Sequence, residues 1–345
     1  MRPVTEVRAA RLRELLDTGA VFKLVCGAGN ENLQEIERLA TVYTLAGANA
    51  FDVAATPASV AACVAGIERA EVLAPGLGLA APERPFITVS VGMPGDHHVR
   101  KALITDACVA CGKCIPVCPT DAIPDSLVII REQCIGCGNC EAACPPKVAA
   151  IRYEHNHRAL EEVLPACLAA GAENVELHAA VPDDDTILEE WRVVAALQPL
   201  HMISMCVDRQ HLSNAQLVAR IRAAAEVAGD RLIVQADGVP MSGGRDDWNT
   251  TLQAIATADV IHKQLRLKDA AFRRLPVLLS GGTNSHTAEL ARRCGVPFAG
   301  VAVGTHARRV VREWLQAPDP WEPRGLQRAL AEAVGLVAQV CLAKA

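Results

Sequence analysis

FKLVCGAGNENLQEIERLATVYTLAGANAFDVA, residues 22–54, decides the fold. Phe22–Cys26 is an apolar run of strand length, Glu31–Ala46 carries apolar residues at helical spacing, and Ala50–Ala54 is a second short run. Strand, helix and strand in that order are the unit of a parallel α/β sheet. Working outward, the unit recurs. Ala58–Ala70 follows as a helix and Phe86–Val91 as the third strand, but the next helical pattern resumes only at Arg158–Ala170. Val175–His178, Met202–Val207 and Leu232–Ala236 read as the fourth, fifth and sixth strands, with Asp183–Leu197 and Ser213–Val227 as the helices between them. Asp183–Asp185 and Ser213 suit helix N-termini, where a side-chain oxygen caps free N–H groups and negative charge meets the positive end of the dipole. Val277–Ser280 and Gly300–Val303 complete the strands. Asp259–His262 imitates a strand but reads as the continuation of a helix from Thr250. Eight βα units predict a TIM (β/α)8 barrel, with a doubly wound open sheet as the alternative.

The interruption after the third strand has its own signature. Cys108, Cys111, Cys114 and Cys118 precede Pro119, and Cys134, Cys137, Cys140 and Cys144 precede Pro145, so CxxCxxCxxxCP occurs twice. That is the pattern of a bacterial ferredoxin with two 4Fe-4S clusters, in which the fourth cysteine of each run serves the other cluster. The expected ligand sets are therefore Cys108, Cys111, Cys114 and Cys144 for one cluster, and Cys134, Cys137, Cys140 and Cys118 for the second. Gly112, Gly136 and Gly138 keep the backbone close to the inorganic core. A zinc ribbon would want a long spacer between pairs, and a disulfide framework an oxidising compartment. Lying in the third βα loop, the insertion is expected over the C-terminal face of the barrel, where active sites are found. The chain then divides into 1–97 and 158–345 as barrel, with 98–157 as a ferredoxin-like insertion.

With 345 residues, 51% hydrophobic and 21% charged, the chain has ample core, and its net charge of −5 is too small to argue for nucleic acid or an anionic membrane surface. MRPVTEVRAARLRELL lacks the apolar run of a secretory signal, and charged residues break every alanine-rich stretch before it could span a bilayer. A cytoplasmic address is expected. Of the fourteen cysteines, the six outside the motif (Cys26, Cys63, Cys167, Cys206, Cys294, Cys341) lie in apolar surroundings and read as inert core thiols, with Cys26 and Cys206 set apart by falling at strand ends.

The ends of the last two strands read Ser280-Gly281-Gly282-Thr283-Asn284 and Val303-Gly304-Thr305-His306-Ala307-Arg308. Loops after strands seven and eight of a barrel often bind phosphate through backbone N–H groups. Gly281, Gly282, Gly304 and Thr305 are thus candidates for a flavin or other phosphate-bearing ligand, with Arg308 adding charge; the same glycines could simply close tight turns. Lys23, Cys26, Asp52, Glu176, His178, Cys206, Asp208, Gln235 and Asp237 also fall at strand C-terminal ends, each either bonded within a layer or facing a pocket. They spell no nucleophile, base and orienter set, so no catalytic residue is assigned. His97, His98, His155 and His157 flank the insertion and read as solvated hinge residues.

KLVCGAGNENLQEIERLATVYTLAGANAFDVAATP, the paired cysteine motif, ENVELHA, LIVQADG, PVLLSGGTNSHTAELA and AGVAVGTHARR, in that order, resemble the cyanobacterial light-dependent period (LdpA) family over nearly the whole chain. The barrel part is also similar to the plastid-encoded Ycf23 proteins, which lack the insertion. The resemblance implies an iron-sulfur redox sensor that relays light-dependent cellular redox state to the circadian clock, with clock input and oscillator proteins as partners. It implies no ligand or reaction for the barrel. The alternative is an oxidoreductase whose barrel ligand receives electrons from the clusters.

Overall fold

The computed structural model describes residues 4–27, 29–93, 96, 99–155, 159–197, 201–210, 212–239 and 246–341. A helix, Val4–Thr18 (α1), precedes the first βαβ unit of β1 (Val21–Gly27), α2 (Leu33–Leu45) and β2 (Ala50–Ala54). Next come α3 (Pro57–Leu73), β3 (Phe86–Gly92), β4 (Arg100–Ile104), α4 (Asn139–Ala143) and β5 (Ile151–His155). The chain continues through α5 (Leu160–Ala169), β6 (Asn174–His178), α6 (Asp184–Ala196), β7 (Ile203–Val207), α7 (Asn214–Ala228) and β8 (Leu232–Asp237). It ends with α8 (Trp248–Ile261), β9 (Val277–Ser280), α9 (Thr287–Arg293), β10 (Gly300–Val303), α10 (Thr305–Val310), α11 (Arg312–Leu315) and α12 (Pro323–Cys341).

Among the described residues, eight parallel strands close in the order β1-β10-β9-β8-β7-β6-β3-β2, which is a TIM barrel. The helix starts are chemically marked. Asn32 caps α2, Thr56 caps α3 with Pro57 in its first turn, Asp183 caps α6, Asp247 caps α8, and Ser213 with Gln216 forms a capping box on α7. Asp259–Ile261 belong to α8, which runs on from His262 to Arg266 as a π-helical turn, so no ninth barrel strand forms there.

The apolar core lies between the outward strand faces and the helices, around residues such as Phe22, Tyr43, Phe51, Leu164 and Trp191. A smaller cluster closes the N-terminal end of the barrel: Leu12 and Leu16 of α1 meet Val21, Ala50, Phe86, Met202, Ile233 and Leu278. Arg8 secures that helix by pairing with Glu173, with its guanidinium 4.2 Å from the centre of the Phe86 ring.

The insertion occupies the third βα loop. β4 and β5 pair antiparallel, Arg100 opposite His155 and Ile104 opposite Ile151, and this ribbon is the part of the fold that the sequence pattern did not disclose. The insertion has a core of its own, with Ala102, Ala122, Ile123 and Ile151 packed around Cys134 and Cys140. His155 is the exposed last residue of β5 rather than part of a linker; His97, His98 and His157 lie outside the described residues.

Candidate functional site

The ribbon brings residues 104 and 151 side by side, and the two cysteine loops hang from it. The loops repeat one backbone shape. Ala110 and Gly136, each two residues after the first cysteine, have φ of 52° and 68°, in the left-handed region that lets the chain wrap tightly. Backbone N–H groups donate to the sulfurs: Ala110 to Cys108 at 3.4 Å, Ala122 to Cys118 at 3.2 Å, Ala102 to Cys134 at 3.4 Å and Ala150 to Cys144 at 3.4 Å.

The sulfurs fall into two electrostatic groups. Burial pushes the Cys114 thiol up, and Cys108, Cys111 and Cys144 push it further. Burial likewise pushes Cys140 up to about 12, helped by Cys137, Cys134 and Cys118. Thiolates that act on one another in this way repel unless a cationic centre lies between them, while the N–H donors favour anionic sulfur. That combination is what an iron-sulfur cluster requires, so the residues fit the group.

The second loop is the one against the barrel. Cys134 and Cys140 are buried, whereas Cys111 of the first loop is exposed. The buried Lys101 ammonium donates to the carbonyl of Cys134 at 2.9 Å and to that of Gly29 in the β1–α2 loop. Glu31 N–H donates to Glu132 O at 2.8 Å, and the Ile135 side reaches the wall of the barrel cavity.

That cavity, about 700 Å³ counting the part open to solvent, is lined by Asp52, Ser90, Glu176, His178, Gln235, Asp237, Gly281, Gly282, Gly304 and Thr305 among others. Beneath it the barrel interior is polar. Lys23 Nζ lies 2.6 Å from Asp52 Oδ2, 2.5 Å from Glu176 Oε2 and 3.2 Å from Gln235 Oε1. Gln235 Nε2 donates to Glu176 Oε1 at 2.8 Å, and Ser90 Oγ donates to Asp52 Oδ1. Burial disfavours the Lys23 ammonium, but Asp52 and Glu176 outweigh it and raise its pKa, so Lys23 is a charged tie rather than an amine nucleophile. Burial also opposes the Glu176 carboxylate, and Lys23 overcomes it, holding Glu176 at about 2. One strand layer higher, burial again works against the His178 imidazolium, but Glu176, Asp96 and Asp237 push its pKa up to about 9.

The nine polar residues at strand ends thus separate. Lys23, Asp52, Glu176 and Gln235 converge into one bonded group; His178, Cys206, Asp208 and Asp237 gather above it. The Cys26 thiol instead sits in the outer apolar core, where burial pushes it up to about 12. Arg308 is already engaged: it pairs with Glu35 at 2.8 Å and donates to the Cys26 carbonyl. At Gly281, where φ is 66°, a Cβ would lie 2.7 Å from the backbone nitrogen of Gly238, so the turn after β9 demands glycine with or without a ligand. Ser90, Asp96, Lys101 and Ile135 were not foreseen; only the alternation of β3, which turns Ser90 inward beside Glu176, could have flagged one of them.

Residues 167–339 match the light dependent period A C-terminal domain, residues 102–123 a 4Fe-4S binding domain and residues 126–172 a 4Fe-4S dicluster domain. The chain is 32% identical to light dependent period A of Synechococcus elongatus over 346 aligned positions, covering 94% of this chain and 92% of that one. This chain belongs to the light dependent period A family. The family's C-terminal domain thus takes in β6 to β10 and the polar residues they carry, and the two 4Fe-4S domains take in both cysteine loops. Among solved structures, the YdjI aldolase of Escherichia coli K12 is similar at 7% identity, covering 96% of each chain, with a TM-score of 0.47. Tryptophan synthase from M. tuberculosis is similar at 14% identity, covering 96% of this chain and 99% of that one, with a TM-score of 0.46.

Proposed function

We propose that this iron-sulfur protein senses redox state through two 4Fe-4S clusters and relays it, as a light-dependent signal, to input and oscillator proteins of the circadian clock. Cys108, Cys111, Cys114 and Cys144 hold one cluster, and Cys134, Cys137, Cys140 and Cys118 the other; the two electrostatic groups of thiols support that division. Residues 98–157 act as the sensing unit, and 1–97 with 158–345 as the barrel that carries it. A reducing compartment, the cytoplasm, suits these thiols; no helix among the described residues is long and apolar enough to cross a membrane.

When bound, the clusters supply a one-electron donor and acceptor. The observation that carries the reading is Lys101, a buried ammonium shared between Cys134 O and Gly29 O. A unit change of charge at the sulfurs of the second loop acts on it through a medium of low dielectric. Lys101 then favours one carbonyl over the other, and the segment from Gly29 to Asn32 follows. Asn32 caps α2, and Asn30 Nδ2 donates to Glu35 Oε1 at 2.8 Å, the same oxygen that pairs with Arg308. The signal therefore reaches the start of α2 and the rim of the barrel by bonds already made.

Hydrogen exchange on anaerobic holoprotein tests this. Amides of residues 29–36 should exchange about fivefold differently between the reduced and oxidised forms, a coupling of about 1 kcal/mol. Lys101→Met should abolish the difference while the iron content stays whole. Equal exchange in both redox states would leave the clusters as carriers without a relay. The same material decides the alternative, a flavin or phosphate-bearing ligand on Gly281, Gly282, Gly304 and Thr305 that accepts cluster electrons. Stoichiometric flavin reduced through the clusters would establish that oxidoreductase in place of the sensor. The buried carboxylates at the mouth and the engagement of Arg308 by Glu35 both oppose an anion there.

A further inference from the structure

We propose that the barrel mouth holds a divalent transition-metal ion, zinc by the nature of its donors, on Glu176, His178 and Cys206, independently of the iron-sulfur clusters. The three side chains each present a donor atom within 4.8 Å of the other two, and all three are buried. Their geometry is built into the sheet. His178 of β6 lies in register with Cys206 of β7, and Glu176, two residues before His178, shares its inward face. A thiolate, an imidazole and a carboxylate together form the borderline-soft set that zinc prefers over magnesium or calcium.

Charge points the same way. Asp52, Asp96, Glu176, Asp208 and Asp237 are all buried at this mouth. Buried carboxylates persist where they are paired or bind metal. Cys206 is out of character for a structural thiol. Cys63 and Cys167 are packed in the apolar core, whereas Cys206 faces Asp237, Glu176, Asp208 and Asp96.

The supports of a metal site are also present. Lys23 and Gln235 hold the Glu176 carboxylate in place at 2.5 and 2.8 Å. With His178 Nε2 3.4 Å from Glu176 Oε1, its Nδ1 faces Asp96 Oδ2 at 3.9 Å, the carboxylate–imidazole order that sets the orientation of a metal-bound histidine. Ser204, 5% exposed and in register with Glu176, has a hydroxyl on that same inward face with no hydrogen-bond partner among the described residues. Glu176 and His178 also line the cavity, so a zinc held by the three side chains would have room for a water or an oxygen of a bound ligand as its fourth ligand.

The test uses anaerobic holoprotein with its clusters oxidised and diamagnetic, titrated with Zn²⁺ or Co²⁺ and freed of excess by gel filtration. One zinc or cobalt should remain per chain with the cluster iron undiminished, and the cobalt should give a high-spin electron paramagnetic resonance signal. Cys206→Ser and His178→Gln should each weaken binding by roughly tenfold or more, while Cys63→Ser leaves it unchanged. X-ray absorption at the zinc edge needs no variant and covers the case where a substitution fails to fold. It should find a single sulfur at about 2.3 Å with nitrogen and oxygen neighbours. Four sulfurs, zinc gained only as iron is lost, or no retained metal at full iron content would each overturn the site.

Discussion

Lys23 carries one positive charge to the centre of the barrel, where Asp52 and Glu176 meet it from two other strands. Removing one partner of such a group leaves the others charged and without solvent, which costs more than the pairing itself contributes. Lys23→Met should therefore destabilise the protein by about 3–5 kcal/mol in denaturant titration. Adding Glu176→Gln should recover a large part of that loss, because the second charge goes with the first; a double variant no better than the single would mean that packing around Lys23, not charge, is what matters. The sequence marked Lys23, Asp52, Glu176 and Gln235 as polar groups at strand ends. It could not show that they touch, because periodicity gives the face of each strand but not the register between strands, and Lys23 meets Glu176 and Gln235 across 153 and 212 residues of chain. The engagement of Arg308 was hidden for a related reason: its partner Glu35 lies 273 residues away.

At the level of elements, α1 closes the floor and the β4–β5 ribbon opens the roof. Glu173, just before β6, receives Arg8 from α1 and a contact from His201 at 3.6 Å. Burial pushes the Glu173 carboxyl up, but hydrogen bonds from His201 and Arg8 outweigh it and hold the pKa below 4.5. A depressed carboxylate stabilises the fold above its ordinary pKa, and that contribution is lost as the pH falls through the lower, folded value. Glu173→Gln should thus melt at a lower temperature than the parent at pH 7, by the equivalent of about 1–2 kcal/mol for this part-exposed pair. The difference should shrink as the pH drops below 4.5; a constant difference would place the loss in packing. On the roof, the crossed thiol groups predict that Cys118→Ser damages the cluster of Cys134, Cys137 and Cys140. Redox titration followed by electron paramagnetic resonance should show that signal altered and the other intact, and the reverse result would exchange the assignments. Helices were legible because their period repeats over many residues, and barrel strands because they are short apolar runs between those helices. RKALI and IRYEH were not: each carries charges, and finds its partner some fifty residues away across the cysteine loops.

For the molecule as a whole, the sequence located the insertion by a missing helix after the third strand, and barrel topology then put it at the mouth. Which cysteine loop faces the barrel was not legible, because it depends on single contacts: Lys101 to Gly29, Glu31 to Glu132, and Arg312 of α11 to Asp121. These bonds, with Gln316 donating to the same Asp121 at 3.0 Å and Ile135 at the cavity wall, join two bodies that each have a core of their own. Arg100 and His155 are paired across the ribbon, so the chain leaves the barrel and returns to it at neighbouring points. Replacing residues 100–155 by a short glycine-serine loop should therefore leave the eight barrel strands able to close. The shortened protein should keep a single cooperative melting transition and its helical circular dichroism, and bind no iron. The lost contacts are worth about 1–3 kcal/mol, which lowers the melting temperature by roughly 2–4 °C for each kcal/mol in a barrel of this size. Loss of cooperative melting would show that the barrel relies on the insertion to fold.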